Sequence, residues 1–145
     1  MPPIIADAFT QDHHRCDHLL AAVETRLGDS DWSVISTAAE TLIDAMNHHF
    51  AQEEESLFPA LAQVLPMAEQ PIDVMRGEHA QMRQLFAELG EAVAIRDQTA
   101  CQGILETLHF LVQQHNHKEE GVLYPLADNA LTGRAAEFAT AIADV

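Results

Sequence analysis

The chain has 145 residues, 48% of them apolar, which suits one globular domain over residues 1–145 with a sizeable core. Its 7 basic and 23 acidic side chains give a net charge of −16 with His neutral. That argues against nucleic acid, whose binding needs Lys and Arg to replace counterions, and against an anionic membrane surface. The start, Met1-Pro2-Pro3-Ile4-Ile5-Ala6-Asp7, has no basic region followed by an apolar run, and no stretch reaches the roughly 20 apolar residues a membrane span needs, so a cytoplasmic location is expected.

The first element runs from about Ile4 to Leu27. Phe9, His13, Cys16, Leu20, Val23 and Leu27 recur at three- and four-residue steps, which is one helix face. Gly28-Asp29-Ser30-Asp31 is a turn with capping residues for the next helix. The second element, about Trp32 to Phe58, has the face Ile35, Ala39, Leu42, Met46, His49 and Glu53. Pro59 is expected to end or bend it, because proline lacks an N–H and clashes with the preceding turn. The third element begins near Pro71, with the face Met75, His79, Met82, Phe86, Leu89 and Val93. The fourth, about Ala100 to Tyr124, has the face Cys101, Leu105, Leu108, Val112, His115 and Glu119, and Pro125 closes it. A weak tail helix lies within Leu131 to Val145. Cys16 and Cys101 sit at apolar helical positions and read as small buried residues rather than a disulfide or ligands.

The third and fourth faces are the first and second moved 66 positions along, as from His49 to His115. Asp12-His13 returns as Glu78-His79, and Glu40-Thr41-Leu42 as Glu106-Thr107-Leu108, without a gap. The chain is therefore a tandem repeat with halves at about 5–65 and 71–131. Each half is an αα-hairpin. The expected fold is all-α, an up-down-up-down four-helix bundle with a short C-terminal helix.

The most informative stretch of each half reads His-x-x-x-Glu-Glu-x-x-Leu-aromatic-Pro, at His49–Pro59 and at His115–Pro125. Residues four apart on a helix share a face, roughly 5–6 Å apart at Cβ. Each half thus offers one imidazole and one carboxylate to the same spot. The repeat also sorts the 9 histidines. His13, His49, His79 and His115 lie on apolar faces and pair under the shift. His14, His18, His48, His109 and His117 pair with Ala80, Gln84, Gln114, Ile43 and Ala51. His14 and His18 stand about 100° or more around the helix from the apolar face and read as surface residues. Glu54 and Glu120 turn off the shared face, where they either orient a ligand or face water.

Six residues remain as candidate metal ligands: His13, His49, Glu53, His79, His115 and Glu119. Four imidazoles and two carboxylates in an apolar core carry a large desolvation cost unless a cation neutralises them. Nitrogen and carboxylate donors without thiolate suit iron, manganese or zinc. Six are too many for one ordinary site. Two metals fit better, one on His13 and His49, the other on His79 and His115, with Glu53 and Glu119 between.

The motifs Asp12-His13, His49-x-x-x-Glu53-Glu54-x-x-Leu57-Phe58-Pro59, Glu78-His79 and His115-x-x-x-Glu119-Glu120-x-x-Leu123-Tyr124-Pro125 resemble those of the hemerythrin-like, or HHE cation-binding, domains over about residues 5–127. The resemblance implies a four-helix bundle, two non-haem irons with an oxo or hydroxo bridge, and the same six ligands. It also implies a small diatomic or peroxide ligand. One departure stands out: oxygen-carrying hemerythrins have a fifth histidine one turn before the third-helix ligand, and here that position is Met75. Three functions follow as expectations: a di-iron protein that binds or senses O2 or a related small ligand, a di-iron enzyme that handles peroxide or nitric oxide or serves iron homeostasis and cluster repair, and a bundle that metal merely stabilises.

Overall fold

The computed structural model describes residues 3–144. Helix α1 spans Ile4–Leu27, α2 Trp32–Gln52, α3 Phe58–Val64, α4 Glu69–Ala94, α5 Gln98–Lys118, α6 Tyr124–Ala130 and α7 Ala135–Ala143. No strand occurs among the described residues. The four long helices α1, α2, α4 and α5 form the bundle, each packed on two neighbours in the order α1–α2–α4–α5–α1. The chain is all-α, as its periodicity indicated.

The two hairpins match down to their turns. Ser30 and Arg96 both take left-handed backbone, at φ 54° and 57°. Asp31 and Asp97 follow, and each carboxylate accepts from a first-turn N–H, that of Val34 at 3.4 Å and that of Ala100 at 3.0 Å. These caps satisfy N–H groups that a helix start leaves without intrahelical partners.

Pro59 and Pro125 do not end their helices. A wider π turn at Glu53–Leu57 joins α2 to α3, and another at Glu119–Leu123 joins α5 to α6. Each proline then sits in the first turn of the next α segment, where its missing N–H costs least. A π turn holds one extra residue, so the clash that proline imposes on the preceding turn is relieved without breaking the rod.

The core has two apolar layers. One, toward the hairpin turns, contains Leu20, Val23, Ile35, Leu42, Phe86, Leu89, Leu105 and Leu108. The other contains Ile5, Phe9, Leu57, Phe58, Leu61, Ile72, Met75 and Tyr124, and α7 covers it with Phe138 and Ile142. Asp128 on α6 ties this end together by accepting from the Ile5 and Ala6 N–H groups at 2.8 and 3.0 Å. The start of α1 has no side-chain cap of its own, so Asp128 serves as one from across the fold. Between the layers lies a buried polar band: Asp12, His13, His49, Glu53, His79, His115, Asn116 and Glu119. Cys16 and Cys101 are buried free thiols, and burial pushes Cys16 up to about 12.

Candidate metal centre

Each long helix carries one histidine inward at the level of the band. His13, His49, His79 and His115 are at most 4% exposed, and Glu53 and Glu119 are fully buried. Two overlapping groups form: His13, His49, Glu53 and Glu119, and Glu53, His79, His115 and Glu119. Within each, one nitrogen or oxygen from every residue lies within 4.8 Å of the others. The first group takes the histidines of the first hairpin and the second those of the second, with both glutamates in each.

The carboxylates span the two groups. Glu53 places Oε2 3.3 Å from His49 Nε2 and Oε1 3.0 Å from His79 Nε2. Glu119 places Oε1 3.0 Å from His13 Nε2 and Oε2 3.2 Å from His115 Nε2. Each therefore turns one oxygen toward each half, the disposition of a bridging ligand.

Behind every imidazole stands a second carboxylate. Nδ1 of His13, His49, His79 and His115 lies 2.7 Å from Glu120, Asp12, Glu54 and Glu78 respectively. An ionised carboxylate only accepts, so each Nδ1 donates and the ring presents Nε2 inward. The four outer partners are themselves related by the repeat, Asp12 to Glu78 and Glu54 to Glu120. Of the two readings open for Glu54 and Glu120, the ligand-orienting one matches their position. The π turn that begins at the inner glutamate sets the next one sideways, toward the imidazole of the other hairpin. Cations hold three of the outer groups: Arg83 grips Glu54 through both Nη atoms at 3.0 Å, Arg15 meets Asp12 at 2.9 Å, and Lys118 meets Glu78. Although burial pushes them up, the partners of Glu54, Asp12 and Glu78 hold all three below the usual carboxylate range.

Burial disfavours a charged His49, yet the Glu53 charge and the Asp12 hydrogen bond raise it to about 10. His115 is raised to about 9 against the same burial penalty by Glu119, Glu53 and Glu78. Burial also pushes Glu53 up, but His49 and His79 hold it well below its ordinary value. The buried carboxylates thus favour positive charge at the centre of the band.

Several features show that metal suits this donor set. Glu53 Oε1 and Glu119 Oε2 are buried and accept no aligned hydrogen bond. His79 Nε2 and His115 Nε2 face each other at 3.2 Å, although both rings spend their Nδ1 protons on Glu54 and Glu78. Convergent ring nitrogens and orphaned carboxylate oxygens, sealed from water, are what a cation satisfies.

The family model of the hemerythrin HHE cation binding domain matches residues 4–127. The chain belongs to the hemerythrin HHE cation-binding domain family. No curated protein and no solved structure matches this hemerythrin-like chain. The match ends just past the second π turn, so α7 lies beyond the matched residues.

Histidines outside the pattern stand apart from the centre. His14, His18, His109 and His117 are exposed, and His48 is half-buried near the Ile142 carbonyl at 3.3 Å. Met75 is buried in the apolar layer that holds Phe58 and Tyr124. One central residue was not among the expected ligands. Tyr124, fully buried, donates toward Glu53 Oε2 at 2.6 Å and Glu119 Oε1 at 2.9 Å. Its only signal in the sequence is that the second copy of the motif has Tyr where the first has Phe58. Burial and the two glutamate charges push its phenol well above the ordinary range, so without metal it keeps its proton. Among the described residues no helix is long and apolar enough to cross a membrane.

Proposed function

We propose that this hemerythrin-like domain holds two irons and binds or senses O2 or a related small ligand. His13 and His49 would hold one iron, His79 and His115 the other, with Glu53 and Glu119 shared. The observation that carries the reading is the pair of inner carboxylates, each with one oxygen in either half. A single ion has no use for that arrangement, whereas two adjacent ions do. Iron in such a pair supplies reversible one-electron chemistry toward O2, nitric oxide or peroxide. Manganese or zinc fits the same donors.

The chain's own residues fix what can reach the centre. Phe50 stacks on His79 at 4.0 Å, and Phe9 packs edge-on to His49 at 5.6 Å. A void of about 10 Å³ borders His13 and His49, lined also by Cys16, Met46, Phe50, Met82, Val112 and Asn116. That is room for about one water, so an entering ligand is diatomic in size or moves side chains. The apolar lining favours O2 or nitric oxide over a charged substrate. A cytoplasmic location accords with the two free thiols.

Iron content per chain, with the spectrum of the anaerobically reduced protein before and after air, tests the reading. Two irons and new near-ultraviolet and visible charge-transfer bands that reverse on deoxygenation are expected. Bands that form and decay irreversibly, with turnover of peroxide or nitric oxide, would instead support the enzyme that Met75 suggests by leaving a ligand position unfilled. Protein from iron-replete cells that carries no iron would refute both.

A further inference from the structure

The two halves of the centre are not equivalent, and the difference is one oxygen atom. The Tyr124 hydroxyl lies 2.6 Å from Glu53 Oε2, 2.9 Å from Glu119 Oε1, 3.1 Å from His13 Nε2 and 3.2 Å from His49 Nε2. These are the four donors of the first half. Donors bound to one cation at about 2.0–2.2 Å stand about 3 Å from their neighbours on it, so the hydroxyl already keeps the spacing of a fifth donor. In the second half the repeat-related residue is Phe58. It is fully buried too, its ring stacked with His79 at 6.2 Å, and it offers no donor. Filling space next to the centre therefore needs only a phenyl ring, as Phe58 shows. The hydroxyl at position 124 has another use. A phenol has one proton to donate, yet two carboxylates and two imidazoles surround this one. Meanwhile the oxygens facing the second half, Glu53 Oε1 and Glu119 Oε2, have no such partner.

We propose that Tyr124 is the fifth protein donor to the metal held by His13, His49, Glu53 and Glu119, bound through its phenolate oxygen. The phenol O–H bond breaks, its proton leaves to solvent, and the oxygen lone pair forms the bond to the metal. No electron is transferred. The first half then has five protein donors and the second has four. This inference rests on the di-iron reading above and makes that site unsymmetrical.

Tyr124 is the chain's 1 tyrosine, so a tyrosinate signal has no other source. The test loads the full chain anaerobically with iron(II), oxidises it with ferricyanide, and records iron content, visible absorption and resonance Raman spectra for the natural protein and Tyr124→Phe. Two irons, a phenolate-to-iron(III) charge-transfer band and tyrosinate ring modes are expected in the natural protein. Tyr124→Phe should fold, since phenylalanine occupies the related position, keep about two irons and lose both signals. Two iron(III) ions without tyrosinate modes in the natural protein would overturn the inference and leave the di-iron reading standing. Absence of iron from the natural protein would overturn the di-iron reading and this inference with it. The natural protein's Raman spectrum decides even where the variant loses metal.

Discussion

A histidine at the centre is held by two acids of different kinds, one inside and one behind. The inner pair faces the metal position; the outer four take the Nδ1 protons and so fix which nitrogen points inward. Outer partners of this kind are worth about 10–100-fold in metal affinity. Glu54→Gln and Glu120→Gln are therefore expected to weaken metal binding by about that factor while leaving helix content unchanged, as read by competition with a chromophoric chelator and circular dichroism. His49→Ala or Glu119→Ala should lose metal, whereas His14→Ala, His18→Ala and His117→Ala should bind metal like the natural chain. Loss of metal in His14→Ala with retention in His13→Ala would show that α1 turns its other face to the centre. The six inward-facing residues stand out in the sequence because a tandem repeat brings back its buried polar positions, and four-residue spacing puts them on one face. The sequence does not fix the direction of the outer Glu54 and Glu120, because they lie in the π turns, which no hydrophobic period encodes. Tyr124 was hidden by the repeat itself, which equates it with an apolar Phe58.

At the scale of elements, local signals set helix ends where capping decides them and failed where proline was the signal. The α1 bounds, Ile4–Leu27, coincide with those read from the pattern, because Gly28 and the acidic turn follow directly. Pro59 and Pro125 resemble stops, yet each follows a π turn that carries the rod through. Helical patterning assumes a constant 3.6-residue pitch, so an inserted residue is invisible to it. The caps have a measurable share in stability. Asp97→Ala is expected to cost about 1 kcal/mol by leaving a first-turn N–H of α5 unpaired, and Asp31→Ala should act likewise on α2. Asp128→Ala removes the acceptor of two N–H groups of α1 and should cost about 2 kcal/mol. Urea unfolding of metal-free samples, with equal slopes across the set, reads these differences. An Asp128→Ala variant as stable as the natural chain would show that α1 does not need its cross-fold cap.

At the scale of the whole molecule, the bundle places an acidic band between two apolar layers and must supply it with positive charge. Without metal that charge is protons on His49 and His115, raised from 6.5 to about 10 and about 9. A histidine whose folded value is raised stabilises the fold fully below its unfolded value and loses that contribution as pH rises through the folded one. The metal-free protein should therefore keep this stability near pH 6 and lose it progressively through pH 9 to 10. Metal binding reverses the dependence, because a ligating imidazole nitrogen must be unprotonated, so uptake at pH 7 displaces protons from His49 and His115. Affinity is expected to rise with pH from 6 to 8, with proton release measurable in weakly buffered solution. The melting temperatures of metal-free and metal-loaded samples should diverge as pH increases from 6 to 9, the loaded form staying flat while the metal-free form falls. Parallel curves would mean that the buried band does not hold its charge as protons in the absence of metal. A metal-free form that instead gains stability with pH would place its neutralisation elsewhere than on His49 and His115.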